Sequence, residues 1–217
     1  MIENVERIRQ AISQNSKHDV ILVAVTKKRS PELINQMLAL GVQDIAENRA
    51  QELLTKLPEI ASNRRIHFIG HLQRNKVKDI IGHVSLIQSV DSLRLAQEID
   101  RQSEKANLVQ DILIQVNIAR EEAKYGFMEE EVDDVLKQVA QLEHVRIQGL
   151  MMMAPYSDNP ESVRGYFRKM KELFDYYRNL NYNKVHMKYL SMGMTNDFEV
   201  ALQEGSNMIR VGTGLFL

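Results

Sequence analysis

The chain has 217 residues, of which 44% are hydrophobic and 26% charged, with a formal net charge of -1. That is the profile of an ordinary globular protein with no global bias towards nucleic acid or acidic membranes. It contains no cysteine, which excludes disulfides, thiolate catalysis and cysteine-ligated metals.

From the N-terminus, Ile2, Val5, Ile8 and Ile12 recur at helical spacing among charges, predicting a helix over Met1–Gln14. This segment lacks the apolar core of a signal peptide, and no run in the chain is apolar enough to span a bilayer, so a cytoplasmic location is expected. Ile21–Lys27 then reads as a buried strand ending in Lys27-Lys28, followed by Ser30-Pro31, a turn and helix-start signal. Further strands are predicted at Asp44–Asn48, His67–Gly70, Leu86–Val90, Ile112–Ile118, Ile147–Ala154, Tyr189–Met194 and Met208–Phe216. Between them lie helical stripes. Ser92 is placed to cap a Leu93–Lys105 helix, and Val132, Val135, Leu136, Val139 and Leu142 share one face. Val163, Phe167, Met170, Leu173, Phe174 and Tyr177 share another, with Pro160 near its start.

Strands separated by helices pair in parallel through right-handed crossovers. Eight such units over this length fit a closed (β/α)8 TIM barrel with an extra N-terminal helix; a doubly wound open sheet is the structural competitor. No linker, low-complexity tract or composition break divides the chain, so residues 1–217 are expected to form one domain. The last predicted strand reaches almost to the final residue, so no appended domain is expected.

In such a barrel the chemistry gathers at the C-terminal strand ends. A lysine there, if apolar walls desolvate its amine, becomes a nucleophile able to form a Schiff base; the alternative is that Lys27 and Lys28 end a strand at the solvent edge. Alternation says only that the two point oppositely, not which faces the bore. The ends of strands seven and eight, Ser191-Met192-Gly193 and Gly212-Thr213-Gly214, combine small residues with hydroxyls, a composition that lets backbone N–H groups approach a phosphate. They also read as ordinary tight turns. Arg210 shares a face with Gly212, and an inward arginine needs a ligand or a carboxylate partner such as Asp91 or Glu47.

Other candidates carry less. Among the six histidines only His67 and His71 approach metal-ligand spacing, and they straddle a strand end, so no metal site is expected. The basic run Gln73–Lys78 opens a helix without interleaved aromatics, and tryptophan is absent, so nucleic acid is not an expected partner. Met151-Met152-Met153 reads as core strand.

Taken in order, Ala24-Val25-Thr26-Lys27, Ala46-Glu47-Asn48, His67–Lys76, Gly149-Leu150-Met151, Ser191-Met192-Gly193-Met194 and Arg210-Val211-Gly212-Thr213 closely resemble the YggS/PROSC family of pyridoxal 5′-phosphate (PLP) homeostasis proteins. The resemblance runs from about Val20 to the end, and the His67–Lys76 block is specific to that family. It implies a single barrel of the alanine racemase N-terminal type (PLP fold type III) that binds PLP. By the resemblance, Lys27 is the Schiff-base lysine and Ser191, Gly193, Gly212 and Thr213 belong to the phosphate-binding loops. Arg210 matches the arginine beside the pyridine nitrogen, and Asn48 lines the cofactor pocket. Ile66, Ile45-Ala46 and Thr195 depart from the family pattern without removing any of these contacts.

An arginine at the pyridine nitrogen disfavours its protonation and weakens the electron sink. The resemblance also implies that racemases of this fold take a catalytic tyrosine from a second domain and a partner subunit. The expectation is therefore a monomeric PLP carrier or regulator without efficient turnover and with no catalytic residues, delivering PLP to apoenzymes or buffering it. Two rivals remain: an active PLP-dependent racemase or decarboxylase using Tyr125 or His71, and a cofactor-free Schiff-base aldolase.

Overall fold

A computed structural model describes residues 1–180 and 182–216; Asn181 and Leu217, inside the expected 1–217 domain, lie outside the described residues. Eight strands, β1 Ile21–Val25, β2 Asp44–Glu47, β3 Arg65–Phe68, β4 Leu86–Val90, β5 Gln110–Gln115, β6 Val145–Met151, β7 Val185–Ser191 and β8 Met208–Val211, succeed one another around a closed barrel. Every neighbouring pair is parallel, and β1 closes onto β8 through Ile21↔Met208 to Ala24↔Val211.

Nine α-helices accompany them among the described residues: α1 Ile2–Asn15, α2 Pro31–Ala39, α3 Ala50–Lys56, α4 Val77–Ile80, α5 Leu93–Lys105, α6 Val132–Val139, α7 Arg164–Leu180, α8 Phe198–Gln203 and α9 Thr213–Phe216. Local chemistry starts two of them as predicted. Ser30 and Ser92 accept from the N–H groups of Leu33 and Leu95, and Pro31 occupies the first turn of α2, where its missing N–H is no loss. None of these helices is long and apolar enough to cross a membrane.

Burial sorts the strand residues into two layers. Ala24, Ile45, Phe68, Ile87, Ile112 and Leu190 pack outward against the helices in the main core. Val23, Ala46, Leu86, Leu113, Met151 and Met208 fill the bore. Strand ends differ from expectation where polarity misled. β7 begins at Val185 because the exposed His186 and Lys188 alternate with buried positions. β8 stops at Val211, and Thr213–Phe216 turns into a short helix where the apolar residues suggested more strand.

Candidate functional site

The strand-end lysines are separated by their backbones. β1 ends at Val25, so Thr26 and Lys27 belong to the loop. Ile21 and Val23 lie with the bore cluster and Ala24 with the outer core; Lys27 continues the bore-facing parity. Lys28 takes a left-handed φ of 60°, and its N–H donates to Glu52 Oε1 at 2.5 Å. Lys27 is exposed, so the apolar enclosure considered from the sequence is not present around its amine.

The loop that carries Lys27 is held from behind. The buried Lys56 Nζ of α3 donates to Thr26 O at 2.8 Å, to Glu47 Oε1 at 2.9 Å and to Glu52 Oε1 at 2.6 Å. Thr26 Oγ1 donates to Glu47 Oε1 at 2.6 Å. Burial raises the Glu47 carboxyl above its ordinary range despite the bonds from Thr26 and Lys56, and its Oε2 has no partner among the described residues. These contacts brace the residues on both sides of Lys27, whose amine has no hydrogen-bond or ion-pair partner among the described residues.

Lys27 and Arg210 line one cavity of about 200 Å³, together with Asn48, Thr195, Gly212 and Thr213. Val25, Ile69, Met153 and Met194 supply its apolar walls, Arg29 also lines it, and among the described residues no carboxylate does. It adjoins a wider cavity of about 1040 Å³ that shares Met153, Met194, Thr195 and Thr213. Arg210 is 3% exposed; its Nη1 donates to Ser191 Oγ at 2.5 Å and its Nη2 to Met152 O at 2.8 Å. Neither Asp91 nor Glu47 pairs with it, contrary to the carboxylate alternative. Burial lowers the Arg210 guanidinium to about 10, with the nearby Asp197 charge opposing the shift, so it remains a cation at neutral pH.

The two Gly/Ser/Thr loops converge as their composition suggested, with some roles redistributed. Arg210 N–H donates to Gly193 O at 3.0 Å, and Gly212 N–H to Thr195 Oγ1 at 3.3 Å. Asp197 Oδ1 accepts from Met194 N–H at 2.6 Å and fixes the loop before α8. Gly193 has φ +96°, and a Cβ there would lie 2.7 Å from Ala201 Cβ; it shapes the loop and does not line the cavity. Ser191 is fully buried at the end of β7, its hydroxyl shared between Arg210 and Gln88, and is likewise absent from the cavity wall. Thr195, read from the sequence only as a departure, does stand in that wall, as do Met194, Ile69 and Met153. Its signal was its place beside the Gly193 turn.

Asn48 lines the same cavity, and its Oδ1 is buried without a partner among the described residues. A Cβ built on Gly212 would meet nothing nearer than Val25 at 3.5 Å, so the protein's own packing does not demand glycine there. A cavity lined by an amine, a buried guanidinium, the hydroxyls of Thr195 and Thr213 and apolar side chains suits a small anion that also bears an apolar ring and a carbonyl.

His71 and Tyr125 lie elsewhere at this end of the barrel. Their rings stack at 3.7 Å, and His71 Nδ1 lies 2.8 Å from Asp91 Oδ2. Neither lines the cavity that holds Lys27. No cluster of His, Cys, Asp and Glu fit for a metal occurs among the described residues.

Comparison with known proteins fits this geometry. Residues 1–217 match the family described as alanine racemase, N-terminal domain. A pyridoxal phosphate homeostasis protein of Aquifex aeolicus is 42% identical over 214 residues, 97% of this chain and 93% of that protein. The structure of PipY from Synechococcus elongatus with PLP bound superposes with a TM-score of 0.88 at 30% identity, covering 100% of this chain and 99% of that one. The alanine racemase of Clostridium difficile shares the fold at 17% identity, with a TM-score of 0.72; this chain covers 55% of it.

Proposed function

Because this chain belongs to the alanine racemase N-terminal domain family, and within it to the pyridoxal phosphate homeostasis proteins, we propose that it binds PLP and holds it for delivery or buffering. The observation that carries the reading is the shared cavity: the unengaged amine of Lys27 and the buried cation of Arg210 stand in one carboxylate-free wall. When bound, PLP supplies an aldehyde for covalent capture and a ring that can withdraw electrons. Lys27 would attach to the aldehyde carbon with loss of water. Thr195, Gly212 and Thr213 would hold the phosphate, Gly193 and Ser191 acting behind them through the loop and through Arg210. Asn48 would lie along the ring.

Arg210 would face the ring nitrogen as a permanent cation and oppose its protonation. The electron sink would then be weak, which supports a carrier or regulator in place of an enzyme with efficient turnover. Placement of His71 and Tyr125 outside the cavity also favours that role. We infer a cytoplasmic monomer that passes PLP to apoenzymes; the absence of cysteine suits a reducing compartment.

Purified protein mixed with PLP should develop a visible absorption band, and borohydride should fix the adduct to Lys27 in a peptide mass map. Lys27→Ala should abolish that adduct and Lys28→Ala should keep it. A reducible adduct that survives in Lys27→Ala would overturn the assignment. Rapid exchange of an amino acid's Cα proton in deuterated water would instead favour the enzyme.

A further inference from the structure

A buried polar array crosses the bore from Arg210 on β8 to Asp44 at the opposite mouth. Arg210 Nη1 donates to Ser191 Oγ at 2.5 Å, and the Ser191 hydroxyl donates to Gln88 Oε1 at 2.6 Å. Gln88 Nε2 lies 2.7 Å from His67 Nδ1 and also reaches Met208 Sδ at 3.2 Å. His67 Nε2 lies 3.0 Å from Asp44 Oδ1, and Arg65 grips both oxygens of Asp44 at 2.8 and 2.5 Å. Ser191, Gln88, His67 and Asp44 are all buried.

The array has one direction. A guanidinium only donates, so the Ser191 oxygen must accept from it and its proton must point to Gln88. The Gln88 carbonyl then faces Ser191 and its amide N–H groups face His67. His67 accepts at Nδ1 and therefore carries its proton on Nε2, aimed at Asp44. An ionised carboxylate only accepts, and Arg65 keeps Asp44 in that role. Reversing any link strands a buried hydroxyl or amide proton without an acceptor.

Resting on the PLP reading above, we propose that Gln88 and His67 are positioning residues for Arg210. They fix the Ser191 hydroxyl, which in turn fixes the guanidinium against the cofactor ring. The Arg210 guanidinium has only Ser191 Oγ and Met152 O as protein acceptors among the described residues. With Gln88 removed, Ser191 is free to rotate and one of the two anchors fails. The cation then shifts relative to the ring nitrogen, and the electronic state of the bound cofactor shifts with it.

The first test needs no cofactor. In the apo protein, ring ¹⁵N shifts of His67 should show Nε2 protonated and Nδ1 bare. Protonation at Nδ1, alone or with Nε2, overturns the array as described. The second test loads the protein with PLP and compares Gln88→Leu with Leu113→Ala, a bore variant outside the array. Gln88→Leu should move the absorption maximum and emission of the bound cofactor and raise the dissociation constant by roughly tenfold, the scale of one charge-assisted hydrogen bond. Leu113→Ala should leave the band in place even if the protein melts earlier. An unmoved band in Gln88→Leu, or equal movement in both variants, overturns the positioning role. Absence of any band in the unmodified protein would instead sink the PLP reading while the nitrogen shifts still stood. Should Gln88→Leu fail to fold, Ser191→Ala takes its place: it removes the same anchor of the guanidinium, so the band should move as well, and an unmoved band overturns the positioning role.

Discussion

Lys56 provides the sharpest energetic test of how the lysine loop is held. Its ammonium is the hub for Glu47, Glu52 and Thr26 O. Lys56→Met keeps most of the side-chain volume and removes the charge, leaving Glu47 with zero exposure and only its Thr26 bond. Removing one partner of a buried pair costs about 3–5 kcal/mol. For a chain of this size that lowers the melting temperature by roughly 6–20 °C. The pH dependence has a definite sign. Glu47 already has a raised folded-state pKa, so its contribution to stability is full below its unfolded value and declines as pH rises through the folded value. Losing Lys56 raises that folded value further, so the deficit should be larger at neutral than at mildly acidic pH, where protonation relieves the uncompensated carboxylate. Urea unfolding followed by circular dichroism at the two pH values measures this directly. Lys56→Met with Glu47→Gln should recover part of the loss, because no uncompensated carboxylate remains. A deficit below about 1 kcal/mol, the range of surface pairs, or one that grows towards low pH, would refute the reasoning.

Two glycines in the loops proposed to serve the phosphate should respond differently to the same substitution. Gly193→Ala meets Ala201 at 2.7 Å with φ +96° and should lose roughly 2–5 kcal/mol in thermal or urea melts. Gly212→Ala meets only Val25 at ordinary contact distance and should fold within about 0.5 kcal/mol of the parent, yet bind PLP more weakly in a fluorescence titration; unchanged binding would remove Gly212 from the cradle. At the opposite mouth, burial acts to raise Asp44, but the bonds from His67 and Arg65 outweigh it and lower its pKa. Its contribution is therefore present above the unfolded value of about 3.9 and lost as pH falls through the folded value. Asp44→Asn should flatten that part of the acid-unfolding curve followed by circular dichroism.

The sequence showed the barrel because its strands are buried on both faces and its helices carry clean stripes. β4 and α5 coincide with their predicted bounds, since Leu86–Val90 is short and apolar-rich and Ser92 caps the helix after it. The start of β7 escaped because Val185–Lys188 alternates polar residues at the surface end of a strand. The end of β8 escaped because Gly212 breaks the strand before residues that are themselves apolar. At the candidate site, Arg210 and the Lys27-Lys28 pair stood out by their strand-end positions, whereas the choice of Lys27 over Lys28 rested on the family resemblance alone. Ser191 was legible as a hydroxyl but not as a support for Arg210, because its other partner, Gln88, lies 103 residues away in sequence. Only barrel closure brings such pairs together, and no local pattern records it.

The uncovered amine of Lys27 has a consequence for selectivity. An amine open to solvent condenses with any small aldehyde that reaches it, so the covalent bond itself carries little discrimination. Choice among ligands would then rest on the other groups that line the cavity, Thr195, Gly212 and Thr213 among them. Simple aldehydes should come and go, phosphorylated pyridines lacking an aldehyde should still compete, and only a molecule with both ends should stay.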